Sequence, residues 1–121
     1  MEIYQTRWFA RYARRERIGD ASLRDAIERA ERGLIEADLG GGIIKQRIAR
    51  RGQGRSAGYR MLIAYRAGDR AVFLYAFAKS ERDNIDPDEL LTLREIGRAW
   101  LVADAARVAE AVAGGILQEV K

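Results

Sequence analysis

Two apolar runs, Gly58–Arg66 and Ala71–Lys79, sit on either side of the short link Ala67-Gly68-Asp69-Arg70. No other stretch restricts the fold as much. Both runs are rich in aromatic and branched residues, which favours strands, and a link this short allows only antiparallel pairing. An even loop centred between Gly68 and Asp69 sets Arg60 opposite Phe77, Leu62 opposite Tyr75 and Ala64 opposite Phe73. Alternation then places Arg60, Leu62, Ala64, Phe73, Tyr75, Phe77 and Lys79 on one face. The other face carries Tyr59, Met61, Ile63 and Tyr65 with Val72, Leu74, Ala76 and Ala78. The first face is aromatic with two cations at its open end. An odd loop would exchange the partners.

Charge sharpens this picture. From Leu39 to Gly68 there are seven basic residues, Lys45, Arg47, Arg50, Arg51, Arg55, Arg60 and Arg66, and no acid. From Ser80 onward nine acids face five bases. A one-sign block of this kind is the electrostatic footprint of a polyanion partner, nucleic acid above all. Rings beside cations suit single-stranded RNA, because bases stack on the rings while cations hold phosphates.

The rest of the chain supplies helices and a second basic strand. Ile3–Phe9 reads as a first strand and Phe9–Arg17 as a short helix that Gly19 ends. Leu23, Ala26, Ile27, Ala30 and Leu34 recur at helical spacing behind a cap at Asp20 or Ser22, with Gly33 at the C-terminal position. Gly40-Gly41-Gly42 marks a turn. Ile43–Ala49 alternates, with Ile44 and Ile48 on one face and Lys45 and Arg47 on the other. Arg50–Ala57 is a Gly- and Arg-rich loop. Asp86-Pro87-Asp88-Glu89 has the form of a capping box, and the helical row behind it runs to about Val112. Glu81 and Asp83, beside Lys79, either orient the cations or are acids favoured near that helix start, and the second reading is preferred. Gly114-Gly115 stops the helix, and Ile116–Val120 adds a last edge strand. The expected class is α+β: one domain over residues 1–121, with a small, mostly antiparallel curved sheet, two N-terminal helices and a long C-terminal helix.

Several function classes drop out. The chain has no cysteine and no histidine, so thiolate chemistry is excluded and the commonest metal ligand and general base are missing. No metal and no cofactor is expected. No apolar stretch reaches bilayer length, and the arginine-rich start is not a signal peptide; the chain reads as cytoplasmic, with no membrane partner. Of the 22 basic residues only Lys45, Lys79 and Lys121 are lysines. A lysine among arginines can be driven toward its neutral form, which makes Lys45 and Lys79 the candidates for proton transfer.

Lys45-Gln46-Arg47, the loop Gly52–Arg60 (GQGRSAGYR) and Phe77–Ile85 (FAKSERDNI) resemble bacterial RelE-like toxins of type II toxin–antitoxin systems, and most closely their HigB-like subgroup. The resemblance runs from the first strand to about Leu101. It implies a curved antiparallel sheet with two helices packed on it and a basic cleft. The implied activity is ribosome-dependent, metal-independent mRNA cleavage through the ribose 2′-hydroxyl, which inhibits translation. Carried over by position, Lys45 and Arg47 take proton abstraction and phosphate binding. Arg60 contacts the scissile phosphate, and Lys79 is the basic residue ending the hairpin. Arg50, Arg51, Arg55, Tyr59, Tyr75 and Arg82 are the further RNA-binding candidates. No tyrosine follows Tyr75, so relatives with a C-terminal catalytic tyrosine or histidine have no counterpart here; Tyr65 and Tyr75 are the substitutes for the proton donor. The implied partners are the ribosome, mRNA and a cognate antitoxin, a small helix-turn-helix protein. Two other readings share the fold: a ParE-like toxin that poisons gyrase without being an enzyme, and an inactive antitoxin-binding remnant.

Overall fold

The computed structural model describes residues 1–50 and 58–121. The described elements are β1 (Glu2–Thr6), α1 (Arg7–Glu16), α2 (Asp20–Glu31), β2 (Ala37–Gly40), β3 (Ile43–Ile48), β4 (Tyr59–Arg66), β5 (Arg70–Ala78), α3 (Pro87–Val102), α4 (Ala105–Ala113) and β6 (Leu117–Glu119). The strands form one open sheet in the order β2-β3-β4-β5-β1-β6. Every neighbouring pair is antiparallel except β1–β5. The expected α+β class with a mostly antiparallel sheet is what the chain forms.

Helices cover both faces. On one, Phe9 and Tyr12 of α1 and Leu23, Ala26 and Ile27 of α2 pack against Ile44, Ile48, Met61, Ile63 and Phe73. On the other, Leu101 of α3 and Val108 and Ala111 of α4 join Ile43, Leu62, Ala64, Val72, Leu74 and Phe77. Leu34 falls outside this packing; it follows the end of α2 and is exposed.

The hairpin register differs from the even-loop expectation. Arg66 pairs with Arg70, so the loop is the odd, three-residue Ala67–Asp69. Up to Ile63–Phe73 the pairs follow that offset, and Ala64 lies opposite Val72, not Phe73. Between Leu62 and Ile63 the register shifts, leaving Leu74 as an extra residue in β5. Such a bulge moves everything beyond it by one position. The two departures cancel at the open end, where Arg60 faces Phe77 and Leu62 faces Tyr75 as expected. They do not cancel near the loop. Phe73 turns to the α1 side, its ring 5.0 Å from that of Phe9, while Val72 and Leu74 turn to the α3 side.

Two elements were not anticipated from the sequence. Ala37–Gly40 forms the edge strand β2, joined to β3 through Gly41 and Gly42 at φ +64° and +83°; a two-residue hairpin turn of this sort favours glycine at both places. The long C-terminal helix is two helices. Ala103 is extended (ψ 136°) and the Asp104 carboxylate accepts from the Arg107 N–H at 2.8 Å, capping α4. Buried Arg70 stabilises the break by donating to the carbonyls of Trp100 and Ala103, at 2.9 and 2.7 Å, which would otherwise lack partners at the helix end. Asp20 is the first residue of α2 and Gly19 its N-cap.

Candidate nucleic-acid interface

The face shared by β3, β4 and β5 is laid out in rows across the strands. Ile43, Ala64 and Val72 form the row nearest the hairpin loop, and α3 lies directly on it. A Cβ added at Gly97 would come within 2.8 Å of Ile43 Cδ1 and 3.0 Å of the Ala64 Cβ. Glycine at this position is what lets the helix approach so closely. The next row is Lys45, Leu62 and Tyr75, and the last is Arg47, Arg60 and Phe77. Alternation on β3 explains why both cations share this face. Gln46, between them, turns to the opposite side, where its Nε2 donates to the carbonyls of Ala26 and Leu34, both at 2.9 Å.

Two arginines directly opposite each other on neighbouring strands repel. The carboxylate that relieves this comes from Glu36, in the link between α2 and β2. Its Oε1 accepts the Nε–H of Arg47 at 2.9 Å and of Arg60 at 3.1 Å. The Arg60 side chain is 5% exposed and that of Arg47 45%. The pair therefore has an inner and an outer member, the outer facing solvent. Glu36 escaped the sequence reading because it precedes the acid-free block and has no neighbour there in the chain. An acid at the edge of a one-sign block was the available signal.

Lys79 sits one residue past β5. Its backbone N–H donates to the Gly58 carbonyl (3.0 Å), and its Nζ lies 3.3 Å from Asp83 Oδ1. Asp83 and Glu81 stand in the turn before α3 and not in its first helical turn, so they are not helix-start acids. Arg82 reaches back over this edge. It pairs with Glu89 at 2.7 Å, donates to the Tyr75 hydroxyl at 3.3 Å and lies 5.6 Å from the Phe77 ring centre. Glu89 also accepts the Asp86 N–H at 2.9 Å, completing the expected cap of α3. The Arg82 guanidinium, and after it the Asp86 N–H, holds the Glu89 carboxyl down to about 2; Glu89 in turn keeps Arg82 protonated.

The remaining candidates divide. Tyr59 is 4% exposed on the α1 side of the sheet, opposite to Arg60, and its hydroxyl donates to Glu16 at 2.9 Å. Burial, then that bond, pushes its phenol up. It is a core residue and offers no stacking surface, because alternation along β4 turns it away from Arg60. Arg50 lies against it, 5.7 Å from the ring centre, and the two line a polar cavity of about 610 Å³ on that side. Tyr65 is at the loop end of β4, bonded to Glu31, far along the strand from Arg60. Tyr75 stacks on Trp8 at 4.7 Å. The two line an apolar groove of about 520 Å³ with Leu93, Ile96, Trp100 and Ile116. Arg51 and Arg55 lie outside the described residues.

Lys45, Arg47 and Arg60 thus come together on one face, with Lys79 and Arg82 at its rim. Such an array can bind a phosphodiester and stabilise added negative charge on it. Among the described residues no group of three His, Cys, Asp or Glu side chains is placed to hold a metal ion, and no helix is long and apolar enough to cross a membrane.

Neither the curated proteins nor the solved structures compared with the chain contain a match. The family model described as the RelE toxin of the RelE/RelB toxin–antitoxin system matches residues 1–120. With that match spanning nearly the whole chain, the protein belongs to the RelE toxin family of toxin–antitoxin systems.

Proposed function

We propose that this toxin cleaves mRNA on the ribosome, using the ribose 2′-hydroxyl as the nucleophile. One observation carries the reading: Arg47 lies directly opposite Arg60, with Lys45 in the adjoining row of the same face. The 2′-oxygen bonds to phosphorus as the bond from phosphorus to the 5′-oxygen breaks; the 5′-oxygen leaves with the electron pair and takes a proton from water, giving a 2′,3′-cyclic phosphate and a 5′-hydroxyl. The phosphorane between them carries an extra negative charge. Fixed guanidinium groups stabilise that charge without reorganising during the reaction, an effect worth about 10²–10³ in rate for a single donor in other enzymes. Arg47 is the outer guanidinium and meets the phosphate first; Arg60 adds charge from behind it. Lys45, in the row next to the two arginines, accepts the 2′-hydroxyl proton. Lys79 and Arg82 hold RNA backbone at the rim.

The same reading makes the protein a HigB-like member acting in the cytoplasm, silenced by a small helix-turn-helix antitoxin that covers the basic face. The test is induction without antitoxin, followed by mapping of mRNA 5′ ends. Growth arrest with codon-linked cuts is expected. Normal growth and an unchanged map of 5′ ends would sink the proposal.

A further inference from the structure

Glu36 is the one acid in contact with the paired arginines among the described residues, and three features set it apart from an ordinary surface ion pair. Its side chain is 15% exposed. One oxygen, Oε1, serves both guanidinium groups. The other, Oε2, is buried with no hydrogen-bond partner among the described residues, a state that costs free energy and calls for an explanation. A carboxylate serving only to tie β2 to its neighbours would gain from using both oxygens.

From this geometry we infer that Glu36 is a positioning residue for the phosphate site: it orients Arg47 and Arg60 and limits the positive charge they present. The inference rests on the endonuclease reading. Each arginine donates its Nε–H to Oε1, which fixes the guanidinium plane near its base and directs the terminal nitrogens of exposed Arg47 outward. A terminal pair of N–H groups is what a phosphate accepts in bidentate fashion. The carboxylate also cancels one of the two positive charges that β3 and β4 bring face to face. Without it, mutual repulsion would drive the outer arginine away from its partner into solvent, where a mobile guanidinium binds RNA but stabilises the phosphorane poorly.

Orientation and charge therefore pull in opposite directions, and this gives Glu36→Gln a signature that a structural tie cannot produce. Losing the negative charge strengthens RNA binding, while losing the fixed geometry slows the chemical step. The measurement uses the full chain with ribosomes programmed by mRNA. Binding is read on message carrying a 2′-deoxy sugar at the cleavage position, and single-turnover cleavage on the all-ribose message at saturating protein. For Glu36→Gln we expect a melting temperature near that of the parent and binding that is equal or tighter. The salt dependence should steepen by about 0.7 for one added phosphate contact on a single strand. Cleavage at saturation should slow about 10–100-fold, as expected when a reacting group is misplaced. Glu36→Asp, which keeps the charge, should restore the parent's salt dependence and recover part of the rate. In nitrogen-15 spectra the parent should show two arginine Nε–H signals whose protection falls in Glu36→Gln, because a neutral amide oxygen is a weaker acceptor for a guanidinium than a carboxylate.

Parent-like cleavage at saturation by Glu36→Gln would overturn the positioning role and leave the endonuclease reading intact. Parallel loss of binding, cleavage and melting temperature would reduce Glu36 to a structural tie. No cleavage by the parent protein would overturn the endonuclease reading, and the positioning role with it.

Discussion

The two ends of the β4–β5 hairpin are built from the same alternating residue types and meet opposite fates. At the loop end both faces are sealed: Ile63 and Phe73 lie in the core shared with α1 and α2, Ala64 and Val72 in the core shared with α3 and α4. At the open end the α3 side carries Arg60 with Arg47 beside it, and the cover is a turn bearing Lys79 and Arg82. The extra residue at Leu74 separates the two regimes. On the loop side of the bulge β5 divides its large side chains between two cores. On the far side the register returns Tyr75 and Phe77 to the cationic face. One inserted residue thus lets a single hairpin feed two apolar cores near its loop and carry a buried cation, Arg60, beneath exposed Arg47 at its open end.

Removing a core residue at the loop end should have the largest effect. Phe73 is fully buried, and Phe73→Ala should cost about 3–5 kcal/mol in denaturant unfolding. A loss under about 1 kcal/mol would mean that this end is not the structural one. At the open end the expected loss is in function. Arg47→Ala should slow cleavage about 10²-fold or more with little change in melting temperature, since its side chain is nearly half exposed. Lys79→Ala should relieve toxicity in growth assays on the same grounds. Full toxicity in both variants would remove the open end from the site.

Gly97→Val tests the seal itself. The added side chain meets Ile43 and Ala64 below normal contact distance, and overpacking of this kind costs about 1–3 kcal/mol. Thermal melting would show it, and an unchanged melting temperature would mean that α3 stands off the sheet.

The smallest effect is a pH dependence at the rim. Glu89, normally near 4.5, is held down to about 2 by Arg82 and the Asp86 N–H. Because its folded value is depressed, its contribution is fully present above about 4.5 and fades as pH falls toward about 2. Glu89→Gln should flatten that part of the acid limb of the stability curve. An acid limb parallel to the parent's would show that the pairing adds nothing.

How much of this could be read from the chain depends on the range of each interaction. The alternation of Ile44, Lys45, Gln46, Arg47 and Ile48 identified the face of each cation, because period-two geometry is set by the backbone of one strand. Asp86-Pro87-Asp88-Glu89 announced the start of α3 for the same local reason. The residues from Trp100 to Ala105 gave no comparable sign of a helix end, since that break depends on Arg70 arriving from β5 to take two carbonyls. Tyr59 resembled a cleft aromatic in composition, yet its place in the alternation already put it opposite Arg60, and burial against α1 removed it from the site. The loop Ala67–Asp69 could close as an even or an odd turn, and nothing local chose between them.

Composition and spacing were therefore enough for the hairpin and the basic strand beside it, and three short motifs carried the family resemblance; all of these depend on residues close in the chain. Folding was needed to set the bulge at Leu74, the division of Phe73 from Tyr75, and the meeting of Glu36 with Arg47 and Arg60. A bulge answers to helices on both faces competing to bury the same strand. A carboxylate finds two arginines, one of them 24 residues away, only when the sheet has brought like charges together and left their repulsion to be offset.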